Sequence, residues 1–410
     1  MLARFAIFAA SLLTLAGVHA EDYVLDAAPH DYWKRPLKDP FTKFMAEVES
    51  GKVKLDESGE LPFLASLLKA VNIPASSQML VFSNTSLQLR LISRNNPRAL
   101  YFNEDLYVGY IPGGRIEIVS IDPEAGGIFY IFDIPRGGGP IRAERSDRCM
   151  NCHAKEETFN IPGLFIKSVV PIPTGGNLQA FRQNESGHAI PFAQRFGGWY
   201  VTGKHGIAEH WGNALGRNSP EGLQKLPLDP LKTFDTGKYL VPGSDILPQL
   251  LHEHQAGFVN RVLEATYKTR DVLHSDGGKI SPANSAALDE KAKALVRYIL
   301  FADEVPLPGV EGDATFREDF LKAGVAAGGV SLREFDLKTR LFKYRCSYMI
   351  HSAIFAGMPR EMKLRVYRGL ALALNETQPS KDYAYLPLAE RRAIRGVLRA
   401  TMKDAPAGWF

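Results

Sequence analysis

The sequence predicts an α+β fold, with a β-rich stretch over residues 21–241 followed by an α-helical stretch over residues 242–410. Two observations carry the division. Between residues 78 and 134, apolar residues come in short runs broken by turn formers such as Pro112-Gly113-Gly114, the texture of a strand meander. Beyond Pro242, apolar residues recur at three- and four-residue intervals over long stretches, the period of a helix with one buried face. The composition is that of an ordinary globular chain, 45% apolar and 23% charged, with no internal repeat or low-complexity tract. A net charge of +4 is too small to argue for nucleic acid or anionic lipid as a partner.

In chain order, residues 1–20 read as a secretory signal. Arg4 supplies the positive start, residues 5–15 the apolar run, and Val18-His19-Ala20 a cleavage site, with the cut expected after Ala20. The run is short for a bilayer-spanning helix, which takes about 20 residues. No integral membrane segment is expected once the signal is removed. Residues 21–59 are polar and irregular and read as a lead-in. Residues 61–72 carry helical periodicity through Leu64, Leu67, Leu68 and Val71, and stop at Pro74. Strands are expected over 78–82, 87–92, 107–111, 115–121 and 128–134, then over 164–172 and 198–202. Between them, Arg136-Gly137-Gly138-Gly139-Pro140 reads as a loose loop or as backbone able to approach a flat ligand.

In the second half, Ser244 can cap a helix running to about residue 273. Ser281-Pro282 pairs a cap with a proline at the first helical position and opens a helix to about residue 303. Residues 306–312 form a linker. Shorter helices are expected over 316–322, 332–352 (with a break), 359–374 and 388–402.

The chemistry is concentrated in Cys149-Met150-Asn151-Cys152-His153. Two thiols three positions apart, followed at once by an imidazole, is the pattern of covalent c-type haem attachment. Each thiol adds to one vinyl group, and the histidine becomes the proximal iron ligand. A redox dithiol would need the pair at a strand-to-helix junction, and a zinc site a second ligand pair. The remaining cysteine, Cys346, lies far downstream and reads as a buried small hydrophobe. Haem attachment outside the cytoplasmic membrane agrees with the signal at residues 1–20. One heme c per chain, with Cys149, Cys152 and His153 as its holders, is therefore expected in a periplasmic protein.

The sixth iron position has several candidates. His205 and His210 lie among Gly203, Gly206 and Gly212 and the aromatics Trp199, Tyr200 and Trp211, a stretch able to crowd a cofactor. His254 falls on the apolar face of its helix with Leu247, Leu250, Leu251 and Phe258, where a histidine is more often a satisfied core group than a ligand. His252 points the other way and is expected in solvent. Met349, His351 and Met358 form a third cluster, for which core filling is the plainer reading; an open or water-bound position completes the set. Arg195, Lys204, Arg145 and Arg148 are candidates for the haem propionates. Glu209 and Glu253, beside candidate histidines, read first as surface charge.

The run Arg195-Phe196-Gly197-Gly198-Trp199-Tyr200-Val201-Thr202-Gly203-Lys204-His205-Gly206 resembles a signature of a family of exported bacterial cytochrome c domain proteins. So do Glu253-His254-Gln255, Leu295-Val296-Arg297-Tyr298 with Phe301-Ala302-Asp303-Glu304, and the segments 335–337 and 341–344. The resemblance extends from about residue 78 onward. It implies haem binding at Cys149, Cys152 and His153 and no particular substrate. Some members of that family carry Met where this chain has Trp211, which leaves His205, His210 and His254 as the distal positions to test.

The expected function is a periplasmic monohaem c-type cytochrome passing one electron to a redox partner protein. The alternative is a haem enzyme, peroxidase-like or oxidising a small molecule, with an open or His-lined distal site. Its motive is size, because an electron carrier needs far less chain than this. A sensor or docking module whose helical half binds a partner protein is a third class.

Overall fold

The computed structural model describes residues 21–135, 139–180, 187–378 and 380–410. The signal expected over residues 1–20, and Arg136, Gly137 and Gly138 of the glycine run, lie outside them. The fold is α+β, with strands concentrated in the first two-thirds of the chain and helices dominating the last third.

Helix α1 (Pro40–Glu49) falls where a lead-in was expected. Asp39 caps it by accepting from the amides of Phe41 and Thr42, Pro40 occupies a first-turn position, and Phe41 and Phe44 are buried. Helix α2 (Glu60–Ala70) follows as expected. Next come β1 (Met79–Val81), β2 (Arg98–Phe102), β3 (Leu106–Tyr110), β4 (Ile116–Asp122), β5 (Gly126–Phe132) and β6 (Glu144–Arg145). The single-turn helix α3 (Met150–His153) leads to a ribbon of β7 (Val169–Pro171) and β8 (Asn177–Ala180), then to β9 (Trp199–Tyr200). One sheet has the order β6-β5-β4-β3-β2-β1-β9, each neighbouring pair antiparallel.

Alternation along the strands gives the sheet two apolar faces. One presents Leu80, Tyr101, Val108, Ile118 and Tyr130 to Phe41, Phe44 and the leucines of α2. The other presents Met79, Val81, Phe102, Tyr107 and Ile121 to the helical part of the chain.

The hairpin of β10 (Ala214–Ser219) and β11 (Gly222–Pro227) and the short α4 (Pro230–Thr233) lead to α5 (Ile246–Ser275), which lies on that second face. Its cap is Asp245, accepting from the Leu247 amide, one residue beyond the expected Ser244. Ser244 instead donates to the Tyr200 carbonyl (2.6 Å) and accepts from the Leu80 amide (2.9 Å), tying the helix start to the sheet. Every residue of α5 from 246 to 260 is buried. His252 is thus no solvent group: it packs on Phe102 (5.4 Å between ring centres), Tyr107 and Trp199.

Around α5 stand α6 (Pro282–Ile299, capped by Ser281), α7 (Ala314–Lys322), the small ribbon β12–β13 (Ala326–Ala327 and Val330–Ser331), α8 (Ala353–Ala356), α9 (Arg360–Ala373) and α10 (Leu388–Thr401). A Cβ at Gly369 would lie 2.9 Å from Val296 Cγ2, so α9 needs a glycine there to approach α6 so closely. Among the described residues no helix is long and apolar enough to cross a membrane.

Two expected elements are absent as such. Residues 87–92 form turns, with Leu87, Leu89 and Leu91 exposed, and the strand in that region is β2. Residues 332–352 hold no α-helix, only an antiparallel bridge between Phe335 and Phe342 and a 3-10 turn at Tyr348–His351.

Candidate haem-attachment site

Helix α3 is built on the Cys149 carbonyl, which accepts from the amides of Cys152 (3.1 Å) and His153 (3.0 Å). One turn separates the cysteines, so their side chains leave the same side of the backbone. Both are free thiols, Cys149 half-buried and Cys152 exposed. Burial pushes the Cys149 thiol above its ordinary value.

The segment that follows clasps His153. The Gly163 amide donates to the His153 carbonyl (2.9 Å), and the His153 ring returns the contact, with Nδ1 2.9 Å from the Gly163 carbonyl. A carbonyl only accepts, so Nδ1 carries the hydrogen and Nε2 keeps its lone pair. Burial lowers the pKa of His153 to about 4, against the smaller opposing pull of that carbonyl, so the ring is neutral near pH 7. No described residue hydrogen-bonds Nε2. Thr158 Oγ1 donates to the same His153 carbonyl (3.0 Å). Asn260 of α5 fixes the next residue from both sides, accepting from the Leu164 amide (2.8 Å) and donating to its carbonyl (2.9 Å). A Cβ on Gly163 would stand 2.4 Å from Asn260 Oδ1, so the clasp requires glycine.

The His153 ring lies 4.6 Å from that of Phe129 on β5, with Phe165 edge-on at 6.3 Å. Phe129 points to the same sheet face as its cross-strand neighbour Val119. Helix α5 covers one end of this face, where His252 meets Tyr107 and Leu263 meets Gly126. At the other end Arg98, Leu100, Glu117 and Val119 are only half-buried. Between them Gly109 adds no side chain; a Cβ there would sit 3.4 Å from Glu117 Oε2 and 3.5 Å from Leu100 Cδ2.

Glu117 accepts from Arg98 Nη1 (2.7 Å), Ser86 Oγ (2.6 Å) and Gln88 Nε2 (3.0 Å). Burial raises its pKa, but Arg98 and these donors together outweigh that and hold it below the usual range. Its charge acts on both Cys149 and His153.

A macrocycle attached at α3 would need two thiols on one side of a turn, an imidazole nitrogen with a lone pair, and a flat, partly apolar floor. Cys149, Cys152, His153 and the Leu100–Gly109–Val119 surface meet these needs in one place. Among the described residues no three His, Cys, Asp or Glu side chains converge to hold a metal ion, so the motif is not posed as an all-protein cage.

The distal candidates lie elsewhere. Both nitrogens of His254 are engaged, Nδ1 with His188 Nδ1 (2.9 Å) and Nε2 with Ser347 Oγ (2.7 Å). The ring stacks on Phe301 (4.5 Å), and burial lowers its pKa to about 3. His205 and His210 are neighbours, 5.4 Å between ring centres, and His210 Nδ1 accepts from the Gly212 amide (3.0 Å). Burial lowers both pKa values, that of His210 to about 4. Among the described residues, neither ring shares a hydrogen-bond or ring-stacking partner with His153. Met349 and Met358 are core residues of the helical part.

Arg195 is buried, donating to the carbonyls of Ile190 (2.6 Å) and His188 (2.8 Å) and pairing with Glu253 (3.2 Å). Neither Arg195 nor Glu253 is a surface charge. Glu209 is exposed beside Lys225 (3.6 Å), and Lys204 pairs with Glu311 (3.3 Å). Arg145 lies over the rings of Tyr32 and Trp33, and Arg148 is exposed. Cys346 is buried, as expected. Gly163, Asn260, Phe129 and the Arg98–Glu117 pair carry no signal in the motif itself and become visible only when the chain is folded.

No protein-family model, no curated protein and no solved structure matches the chain.

Proposed function

We propose that this chain is an exported, periplasmic monohaem c-type cytochrome that accepts one electron and passes it to a redox partner protein. The reading is carried by His153, whose Nδ1–H is committed to the Gly163 carbonyl while neutral Nε2 is left with its lone pair, one residue after a thiol pair on a single helical turn. Bound haem would supply an iron able to change oxidation state by one electron. The chain's own part is to hold and tune it. Cys149 and Cys152 would anchor the ring edge, and Gly163 fixes the imidazole's tautomer and raises its donor strength. Val119, Leu100 and Gly109 would exclude water from one face, and the Arg98–Glu117 pair sets the local field.

The test is expression in a host competent for cytochrome maturation. Pigment that stays with the polypeptide through a denaturing gel and acidified acetone, and that is reduced and reoxidised reversibly, is the expected result. Pigment fully extracted would end the proposal.

A haem enzyme is the second reading, favoured by Arg98 and Glu117, a cation and a carboxylate 2.7 Å apart within electrostatic reach of His153. Such a pair can assist proton transfer at an open iron position. A five-coordinate, high-spin resting spectrum with peroxide turnover that falls in Arg98→Leu would select it.

A further inference from the structure

Within the segment between β1 and β2, residues 83–97 form a tied loop with an unusual outer surface. Its inward side chains are bonded to the sheet beside the site. Ser86 Oγ (2.6 Å) and Gln88 Nε2 (3.0 Å) donate to Glu117, and Asn96 Nδ2 donates to the Leu91 carbonyl (2.9 Å). Tyr200 and Tyr239 donate to the carbonyls of Arg94 (2.7 Å) and Pro97 (2.8 Å). The residues between turn the other way. Leu87, Leu89 and Leu91 are 39%, 49% and 41% exposed. Arg90 and Arg94 are exposed beside them and have no acidic partner among the described residues. The loop contains no acidic residue.

Three leucines held into water cost hydrophobic free energy with no return inside this chain. The bonds that fix the loop prevent it from folding them away, and Arg90 and Arg94, without an acidic partner among the described residues, sit at their rim. From this we infer that the outer surface of residues 87–94 is the docking patch for the electron-transfer partner, a small protein presenting an apolar contact ringed by acidic side chains. The inference rests on the cytochrome reading and names the partner's chemistry. The patch stands over Glu117, and so beside the seat proposed for the haem. Transient redox encounters use small contacts of this kind, with charge steering the approach. Because Ser86 and Gln88 face Glu117 while Leu87 and Leu89 face away, the leucines are placed for a visitor rather than as a wall of the seat.

The test uses the haem-loaded full chain and two variants, Arg90→Glu with Arg94→Glu, and Leu87→Ser with Leu89→Ser and Leu91→Ser. The probe is a gold electrode carrying a mixed methyl- and carboxylate-terminated monolayer, compared with a methyl- and ammonium-terminated one. The unsubstituted chain should exchange electrons faster at the carboxylate surface at low salt. The arginine variant should lose that preference and the leucine variant should slow about tenfold or more, with spectra and potentials unchanged. Unchanged exchange in both variants would overturn the inference. So would a shifted spectrum in the leucine variant, which would make the leucines part of the seat. Binding to phosphatidylglycerol vesicles that both variants abolish would also overturn it, assigning the patch to a membrane surface. Absence of covalent pigment in the unsubstituted chain would remove the parent reading, and the spectrum reveals it before any rate is measured.

Discussion

His153 and His254 are both neutral, both depressed in pKa by burial and both held by hydrogen bonds at Nδ1, yet they are opposite kinds of site. At His153 one nitrogen is bonded to a backbone carbonyl and the other is not bonded by any described residue. At His254 both are engaged, one by another imidazole and one by a hydroxyl, inside stacked aromatic rings. A depressed pKa alone therefore does not separate ligand from core. What separates them is the second nitrogen. A ring with one satisfied nitrogen is oriented and still able to bind, whereas a ring with two is a cross-link.

The comparison breaks first at the thiols. Replacing Cys149 and Cys152 together by Ala should leave every trace of pigment extractable by acidified acetone, with the polypeptide still folded by circular dichroism. Equal retention in the double variant and the unsubstituted chain would show that α3 is not the attachment turn.

The next largest effect belongs to the cross-link. His254→Ala leaves His188 and Ser347 without their partner and opens a cavity in the core, and should cost about 3 kcal/mol in denaturant unfolding while leaving covalent pigment in place. Its pH dependence follows from the lowered pKa. An unfolded histidine takes up its proton below about pH 6.5, whereas folded His254 does so only near pH 3, with a pKa of about 3. Between those values the unfolded chain binds the extra proton, so stability is full above the upper value and falls as pH drops through the window. The fall should be shallower in His254→Ala. An unaltered slope would deny His254 this role.

Part of the fold is legible in the sequence and part is not. The single turn that carries Cys149, Cys152 and His153 agrees with the close spacing of the motif, because that geometry is local. α5 is legible in its apolar period, but the same period assigns His252 to solvent, and His252 is buried. Gln249 donates to the Tyr200 carbonyl (2.7 Å), and Asn260 and Glu253 likewise bond across to other elements. Polar residues satisfied by distant partners look in sequence like a solvated face. The strand expected over 87–92 failed for the complementary reason. Leu-Gln-Leu-Arg-Leu alternates as a strand does, but a ladder needs a neighbour, and here Ser86 and Gln88 spend the backbone's place at the sheet on side-chain bonds to Glu117. Helix α1 is hard to read from sequence because its signal is only the short Asp39-Pro40 cap and two phenylalanines.

A smaller effect probes how His153 is held. Asn260→Ala removes both bonds to Leu164 and with them the brace behind the Gly163 carbonyl. Destabilisation of about 2 kcal/mol is expected for the buried amide. A weaker Nδ1–H contact makes the imidazole a poorer donor, which disfavours the higher oxidation state of a bound iron, so the reduction potential should rise. A fall, measured by redox titration, would contradict the orientation assigned to the ring.

The smallest effect expected is none. Strand β9, which ends at Tyr200, is five strand spacings from β5 in the sheet, about 24 Å at ordinary spacing. His205 follows β9 in sequence and pairs with Val310, and His210 packs on His205 and Phe196. An iron held by His153 would need any second histidine ligand close to that ring. Among the described residues His153 lies on Phe129, while His205 and His210 lie on each other and His210 on Phe196. His205→Ala and His210→Ala should therefore leave the oxidised and reduced absorption bands unchanged. Loss of a low-spin band in either variant would mean that the chain closes around the haem by moving β9 and its following loop toward β5.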